Sequence, residues 1–324
     1  MPRAIRIHRT GGPEVLVWEE VESGRPGPGE VRMRHTAVGL NFIDTYHRSG
    51  LYPLPELPAV LGREAAGVVE EVGPGVEGIE PGNRVAFVLA AGSYCEESVV
   101  AADRLVRLPD GIDDRRAAAL MLKGLTAQYL VRRTYRIRSG DTILIHAAAG
   151  GVGLLACQWA SHLGASVVGT VGSVEKAELA RANGCEHPVL YEEEDFVARV
   201  MEITDGRGVP VVYDSVGRDT FQRSLDCLAP LGLMVSFGQS SGAVPPFAIG
   251  TLAAKGSLFL TRPTLADYID GRDALVEASR ELFDLVLAGT LKVEVRQSYE
   301  LRDAAQAHRD LEARKTRGST VLLP

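Results

Sequence analysis

From Thr142 onward the chain alternates between two hydrophobic rhythms. Residues 142–145 form a short apolar run rich in β-branched side chains, the pattern of a buried strand. Three alanines and a glycine-rich turn follow. Then Val152, Leu155, Ala156, Trp159 and Leu163 recur at helical spacing, with Gln158, Ser161 and His162 between them. Residues 166–171, 211–213, 233–238 and 257–261 repeat the strand pattern, and helical patterns separate them. Residues 113–131, 274–288 and 304–313 read as helices, and 291–295 and 319–323 as strands. Before residue 122 the texture differs. Strand-like runs such as 65–73 are short, and turns break them at RPGPG (25–29), YPLPELP (52–58), GPGVEG (73–78) and Pro81-Gly82-Asn83.

Strands alternating with helices over this length predict an α/β domain built on a doubly wound parallel sheet, the Rossmann arrangement. The short, turn-rich runs before it predict a β-rich domain with Greek-key or barrel character. The last strand and helix patterns resemble that first domain, so the chain is expected to return to it. This gives a β-rich domain from 1–122 and 290–324, and a nucleotide-binding domain from 123–289.

Composition narrows the classes. At 324 residues the chain suits two domains, and a formal charge of −7 argues against a surface built for nucleic acid. Its apolar runs fall short of the ~20 residues that a membrane span requires. The opening MPRAIRIHRTGG lacks the apolar core of a signal peptide and reads as a first strand, so a cytoplasmic protein is expected. Cys95, Cys157, Cys185 and Cys227 stand apart without a Cys-x-x-Cys pair, as expected of reduced, buried thiols.

The turn after residue 145 carries the first candidate chemistry. Gly150, Gly151, Val152 and Gly153 open a helix, whose N-terminal N–H groups and dipole suit a pyrophosphate. Glycine lets backbone and phosphate approach closely. The full pattern is Gly-x-Gly-x-x-Gly, and Ala148 stands in the first glycine's place. Enzymes that use NAD carry an acid at the end of the second strand, ~20 residues on, for the ribose hydroxyl. Here Gly172 and Ser173 fill that place and Lys176 follows, a pattern suited to the 2′-phosphate of NADPH. Glu175 adjoins Lys176 and opposes this.

The motifs NFIDTYHRSGLYP (41–53), LGREAAGVVEEVG (61–73), HAAAGGVG (146–153), YDSVG (213–217) and the ending GSTVLLP resemble the zinc-free quinone oxidoreductases. These form the zeta-crystallin group of the medium-chain dehydrogenase/reductase superfamily. The resemblance covers the whole chain, and alanine in the first glycine position is usual in that group. It implies a GroES-like fold for the β-rich domain. It also implies that Asn41, Tyr46 and Tyr52 face the nicotinamide and substrate in the cleft, with a tyrosine hydroxyl or water as proton donor. Tyr191 and Arg314 align with positions used for the 2′-phosphate. Ser215, Phe237 and Gly238 complete the implied cofactor set. Thr126 is read as opening the domain-crossing helix, within reach of the nicotinamide or a phosphate.

Zinc relatives carry a cysteine near position 41 and a Gly-His-Glu turn, where this chain has Asn41 and Gly62-Arg63-Glu64. No metal site is expected, because zinc needs three or four such ligands together. Glu64 is expected to pair with an arginine, Asp44 to cap the helix after it, and His146 and His308 to be structural. Without a Lewis acid, an already electrophilic quinone or enone is the suitable substrate, and it chiefly needs NADPH held close. The expected activity is NADPH-dependent quinone reduction, with enone or alkenal reduction as the enzymatic alternative. A crystallin-like structural role or binding of A/U-rich RNA is the non-enzymatic one. The apolar strand 257–261 predicts a homodimer.

Overall fold

A computed structural model describes residues 1–90 and 92–324. The chain divides into two compact units, residues 1–125 with 269–324, and residues 126–268.

The first unit opens with the strands β1 (Arg3–Ile7), β2 (Val17–Glu20) and β3 (Glu30–Leu40), followed by helix α1 (Phe42–Ser49). Next come β4 (Ala59–Val60), β5 (Glu64–Val72), β6 (Arg84–Val88), β7 (Glu97–Ala101) and β8 (Leu105–Arg107). Strand β1 lies between β2 and β4 in a small antiparallel sheet. The larger sheet runs through β3, β5, β6 and β8, with β7 also paired to β3. Its inward side chains, among them Val31, Met33, Val69, Val85, Phe87 and Leu105, form one apolar core with Ile5, Ile7 and Tyr94. Alternating burial along β3 from Glu30 to Ala37 is the period-2 signature of a strand with one wet face.

Helix α2 (Asp114–Tyr129) carries the chain into the second unit, where π-helical residues Leu130–Thr134 follow it. The strands there are β9 (Thr142–Ile145), β10 (Ser166–Val171), β11 (His187–Leu190), β12 (Val209–Asp214), β13 (Leu228–Ser236) and β14 (Phe259–Thr261). Between them lie α3 (Gly151–His162), α4 (Val174–Arg181), α5 (Phe196–Ile203), α6 (Phe221–Asp226) and α7 (Gly250–Ala254), and α8 (Leu265–Tyr268) closes the unit. All strand pairs are parallel, in the order β11-β10-β9-β12-β13-β14. Numbered within this unit the order is 3-2-1-4-5-6, the Rossmann arrangement, which reverses between β9 and β12. Buried residues, most of them valine or isoleucine, at nearly every position of β9, β10 and β12 reflect cover on both faces.

The chain then rejoins the first unit through α9 (Arg272–Leu287), β15 (Val295–Glu300), α10 (Ala304–Glu312) and β16 (Ser319–Leu323). Helix α9 packs in this unit: Arg272 bonds the carbonyl of Leu105, and Leu282 approaches Gly124 where a larger residue would collide. The second crossing therefore falls at 268/269 rather than near 289. Strand β16 pairs antiparallel with the end of β3 and parallel with β15.

The strand expected at 291–295 is displaced. Leu291 and Val293 are buried anchors outside any strand, and the pairing residues are Val295–Glu300, VRQSYE. That strand is a sheet edge with alternately exposed side chains, so its sequence lacks an apolar run.

Candidate functional site

Strand β9 ends at Ile145 and the chain turns sharply through His146 and Ala147, the latter at φ 53°. The turn is tied by Gly150 N–H to the Ala147 carbonyl at 2.9 Å and by Ala148 N–H to the Thr170 carbonyl at 3.0 Å. A side chain at Gly153 would stand inside van der Waals contact with the Ala147 carbonyl and 2.8 Å from the Cα of Ala148, so glycine here seats α3 against the turn. Gly150 is different. It has ordinary extended dihedrals and a single near neighbour among the described residues, so its missing side chain leaves the outer face of the turn open. Among the described residues no side chain caps α3, and its first turn holds no acid. By contrast, Ser173 caps α4 and Asp195 caps α5. The first-turn N–H groups of α3, from Gly151, Val152 and Gly153, therefore fit a bound phosphate.

Past β10 the chain passes Gly172 and reaches Ser173. The Ser173 hydroxyl accepts from Lys176 N–H at 3.3 Å and donates to Glu175 Oε2 at 2.8 Å. A methyl at 172 would lie 2.7 Å from the Tyr191 hydroxyl, so this ring lies against the glycine. Gly172, Ser173, Lys176 and Tyr191 thus gather at one strand end. Arg314 belongs to the other unit, in the turn after α10, where φ is 58° and its N–H bonds the Leu311 carbonyl.

The ends of β12 and β13 are stitched together beside Ser215. Phe237 N–H bonds the Asp214 carbonyl at 2.8 Å, and a methyl at Gly238 would lie 2.6 Å from the Ser215 carbonyl. Asp214, which the sequence reading missed, is fully buried. Its carboxylate takes the N–H groups of Val216 and Gly217 at 2.7 and 2.9 Å and the hydroxyls of Thr220 and Ser224. It builds the turn that presents Ser215. His146 bridges Thr170 Oγ1 and Ser224 Oγ, both at 2.9 Å, and burial holds its pKa below the usual imidazole range. It is a neutral tie between β10 and α6. Thr126 does not open a helix as expected; it lies in the last turn of α2, buried.

In the first unit, Asn41 caps α1, and Gly50 ends that helix in the left-handed region at φ 83°. Asp44 is not the cap. It stands three residues inside, and its Oδ2 accepts the Asn41 N–H at 2.9 Å, the reciprocal half of a capping box. Tyr46 and Tyr52 meet edge to face, ring centroids 5.2 Å apart, and Tyr52 N–H bonds the Tyr46 carbonyl. Asn41, Tyr46 and Tyr52 therefore share one helix and the loop that leaves it.

Behind Asp44 runs a chain that sequence reasoning missed. The Tyr94 hydroxyl is 2.9 Å from Asp44 Oδ2 and 3.1 Å from His308 Nε2. His308 Nδ1 is 3.0 Å from Arg48 Nη1, and Arg48 pairs with Glu312. Arginine can only donate, so Nδ1 accepts, Nε2–H donates to Tyr94, and Tyr94 donates to Asp44. Burial and the Arg48 charge push the His308 pKa to about 3, and burial raises that of Asp44 to about 7. His308 is thus a neutral structural link.

Glu64 is paired with Lys123 at 3.1 Å, not with an arginine. Arg63 instead points to His47 Nε2 at 2.8 Å. The signal for Lys123 was available: it is the single charge in the apolar run 117–125, AAALMLKGL, and a lysine so placed needs a buried partner. Where zinc relatives bind metal, Asn41 Nδ2 is committed as a donor and Arg63 is a cation, an unsuitable donor set. Burial raises the Cys95 thiol to about 12, so it holds its proton. Among the described residues, no group of three or more His, Cys, Asp or Glu is placed to hold a metal.

Two family models match the chain, the alcohol dehydrogenase GroES-like domain over residues 27–137 and the zinc-binding dehydrogenase over residues 151–271. A quinone oxidoreductase of Pseudomonas aeruginosa is 54% identical, with 100% of each chain covered. A 2-haloacrylate reductase of a Burkholderia species is 51% identical, over 100% of this chain and 99% of its own. The crystal structure of Escherichia coli quinone oxidoreductase complexed with NADPH superimposes with a TM-score of 0.98. It is 52% identical and covers 99% of this chain and 100% of its own. The chain belongs to the quinone oxidoreductase family of the medium-chain dehydrogenase/reductase superfamily.

Proposed function

We propose that this protein is a zinc-independent, NADPH-dependent quinone reductase. The observation that carries the reading is the turn at 147–153, where an uncapped helix start meets an open glycine at the switch point of a parallel sheet. Full-length identity to proteins named quinone oxidoreductase, one of them solved with NADPH, supports the same reading.

In this reading the N–H groups of Gly151, Val152 and Gly153 hold the pyrophosphate. Ser173, Lys176 and Tyr191 receive the 2′-phosphate, and Thr126, Ser215, Phe237 and Gly238 line the path toward the nicotinamide. NADPH supplies the reducing equivalents, and a proton from solvent balances the conversion of quinone to hydroquinone. Asn41, Tyr46 and Tyr52 orient the quinone. An electrophilic acceptor needs positioning more than activation, which is why the donor set near Arg63 can do without a metal. The protein is a cytoplasmic homodimer paired through β14; no helix among the described residues is long and apolar enough to cross a membrane.

The test is a steady-state panel with NADPH and simple quinones, enones and 2-haloacrylate. The quinones are expected to lead in kcat/KM by at least about ten-fold. A lead by the enones or the haloacrylate would reassign the substrate, and no oxidation of NADPH with any of them would remove the enzymatic reading.

A further inference from the structure

Three elements converge on the carboxylate of Glu64, which opens β5 and is fully buried. From the start of α1, Asn41 Nδ2 donates to Oε1 at 2.7 Å. From α2, Lys123 Nζ donates to the same oxygen at 3.1 Å, and the Leu122 N–H donates to Oε2 at 2.6 Å. At the end of β3, a side chain at Gly39 would overlap Oε1, so the glycine clears the space. Lys123 and Asn41 are themselves almost wholly buried. A buried ion pair is weak evidence for stability, because desolvation offsets much of the attraction. What this one does provide is orientation.

The orientation follows from donor and acceptor chemistry. An ionised carboxylate only accepts, so the Asn41 amide must turn its nitrogen toward Glu64, and Oδ1 faces the first turn of α1, where one lone pair takes the Asp44 N–H of the capping box. The backbone N–H of Asn41 is held by Asp44 Oδ2. The backbone N–H and the amide nitrogen are therefore both held by carboxylates, and the oxygen, with one lone pair on the Asp44 N–H, has a single direction left for the other. We infer that Glu64, held in place by Lys123, is a positioning residue that locks the Asn41 amide so that it presents a hydrogen-bond acceptor to the substrate end. This rests on the proposed role of Asn41 and adds what fixes it. Glutamine cannot replace Glu64, since both of its carboxylate oxygens face donors and an amide nitrogen would confront one of them.

The experiment measures kcat and KM with NADPH and 1,4-benzoquinone for wild type, Asn41→Ala, Glu64→Gln and the double variant. Each single change is expected to lower kcat at least about ten-fold, while KM for NADPH moves less than about three-fold. The double variant should be no slower than Asn41→Ala, within about two-fold, because Glu64 acts only through that amide. Losses that multiply would overturn the inference. Wild-type turnover by Asn41→Ala would instead remove Asn41 from the reacting end, a separate failure. A swap guards against misfolding of Glu64→Gln. In Asn41→Asp two carboxylates face each other. In Asn41→Asp/Glu64→Gln the amide introduced at position 64 donates to the carboxylate introduced at position 41. Lys123 then pairs with that carboxylate, and the amide oxygen keeps the Leu122 N–H. The swap should turn over at least about ten-fold faster than Asn41→Asp; a swap no faster, or one that fails to fold, overturns the inference.

Discussion

The methyl group of Ala148 occupies space that Gly169 leaves open: a methyl at 169 would lie 2.6 Å from it and 2.5 Å from the sulfur of Cys185. Ala148 is fully buried, and its N–H is tied to Thr170 on the neighbouring strand. The missing first glycine of the turn is thus compensated one strand away, in the middle of β10.

Gly169→Ala should therefore destabilise the fold by about 1–3 kcal/mol, the usual cost of an overpacked core. Adding Ala148→Gly should recover part of the loss, since the Cys185 contact remains. Urea denaturation of the two single variants and the double variant measures this. Strict additivity would show that the two positions do not share the space.

Asp44 should leave a signature in stability against pH. Its pKa rises from 3.8 to about 7 on burial, so the folded chain keeps a proton that the unfolded chain has lost. Its contribution is full below pH 3.8 and disappears as pH climbs through about 7. Asp44→Asn stands in for the neutral acid and retains an oxygen for Tyr94 and Asn41. The variant should gain on wild type between about pH 4 and 7, by roughly 1.4 kcal/mol per unit, and no further above. His35 and His308, pushed down to about 4 and about 3, act in the opposite sense in both proteins and cancel in the difference. A difference independent of pH would refute the assignment.

Much of the cofactor unit was legible because its strands are buried on both faces. The limits of β9 and β10 coincide with apolar, β-branched runs, as do those of β16 in the first unit. Strand β15 was not, because an edge strand facing water half the time carries no such run. The glycine turn and the tyrosine loop could be read as local motifs. Their supports could not. Lys123 meets Glu64 across 59 residues, and Tyr94 meets His308 across 214; a single sequence can mark Lys123 as needing a buried partner but does not say which residue it meets. Asp44 was misread for a related reason: the cap and its reciprocal partner lie three residues apart, and both are cap-forming residue types.

Metal removal should leave activity intact. Arg63 brings a positive charge and Asn41 a committed N–H donor to the place where zinc relatives bind metal. Dialysis against a chelator followed by assay and elemental analysis tests this. Stoichiometric zinc whose removal abolishes turnover would contradict the zinc-independent reading.

The free edge of the parallel sheet should govern assembly. Among the described residues strand β14 pairs only with β13, and it exposes Phe259 by 60% and Leu260 by 37%. An uncovered apolar edge invites pairing with a second copy. Phe259→Lys should weaken a dimer at least about ten-fold, shifting sedimentation toward the monomer at micromolar concentration. An unchanged mass would move the interface elsewhere.

Cofactor choice should turn on the neighbours Glu175 and Lys176. The 2′-phosphate of NADPH carries about −1.5 to −2 charges near neutral pH, and a hydrogen bond to a charged group contributes roughly 1.5–3 kcal/mol. Partial exposure should hold Lys176 near the lower figure, so Lys176→Ala should lower kcat/KM for NADPH about ten-fold and leave NADH nearly unchanged. Glu175 works the other way. Its carboxylate sits on the Ser173 hydroxyl at 2.8 Å, at the same strand end. Glu175→Gln should therefore favour NADPH, by a few-fold only, because salt screens an exposed charge. The comparison is kcat/KM for both cofactors at two ionic strengths. Equal losses for NADPH and NADH in Lys176→Ala would place the phosphate elsewhere, and a Glu175→Gln effect indifferent to salt would mean that Glu175 acts by shaping the Ser173 cap rather than by its charge.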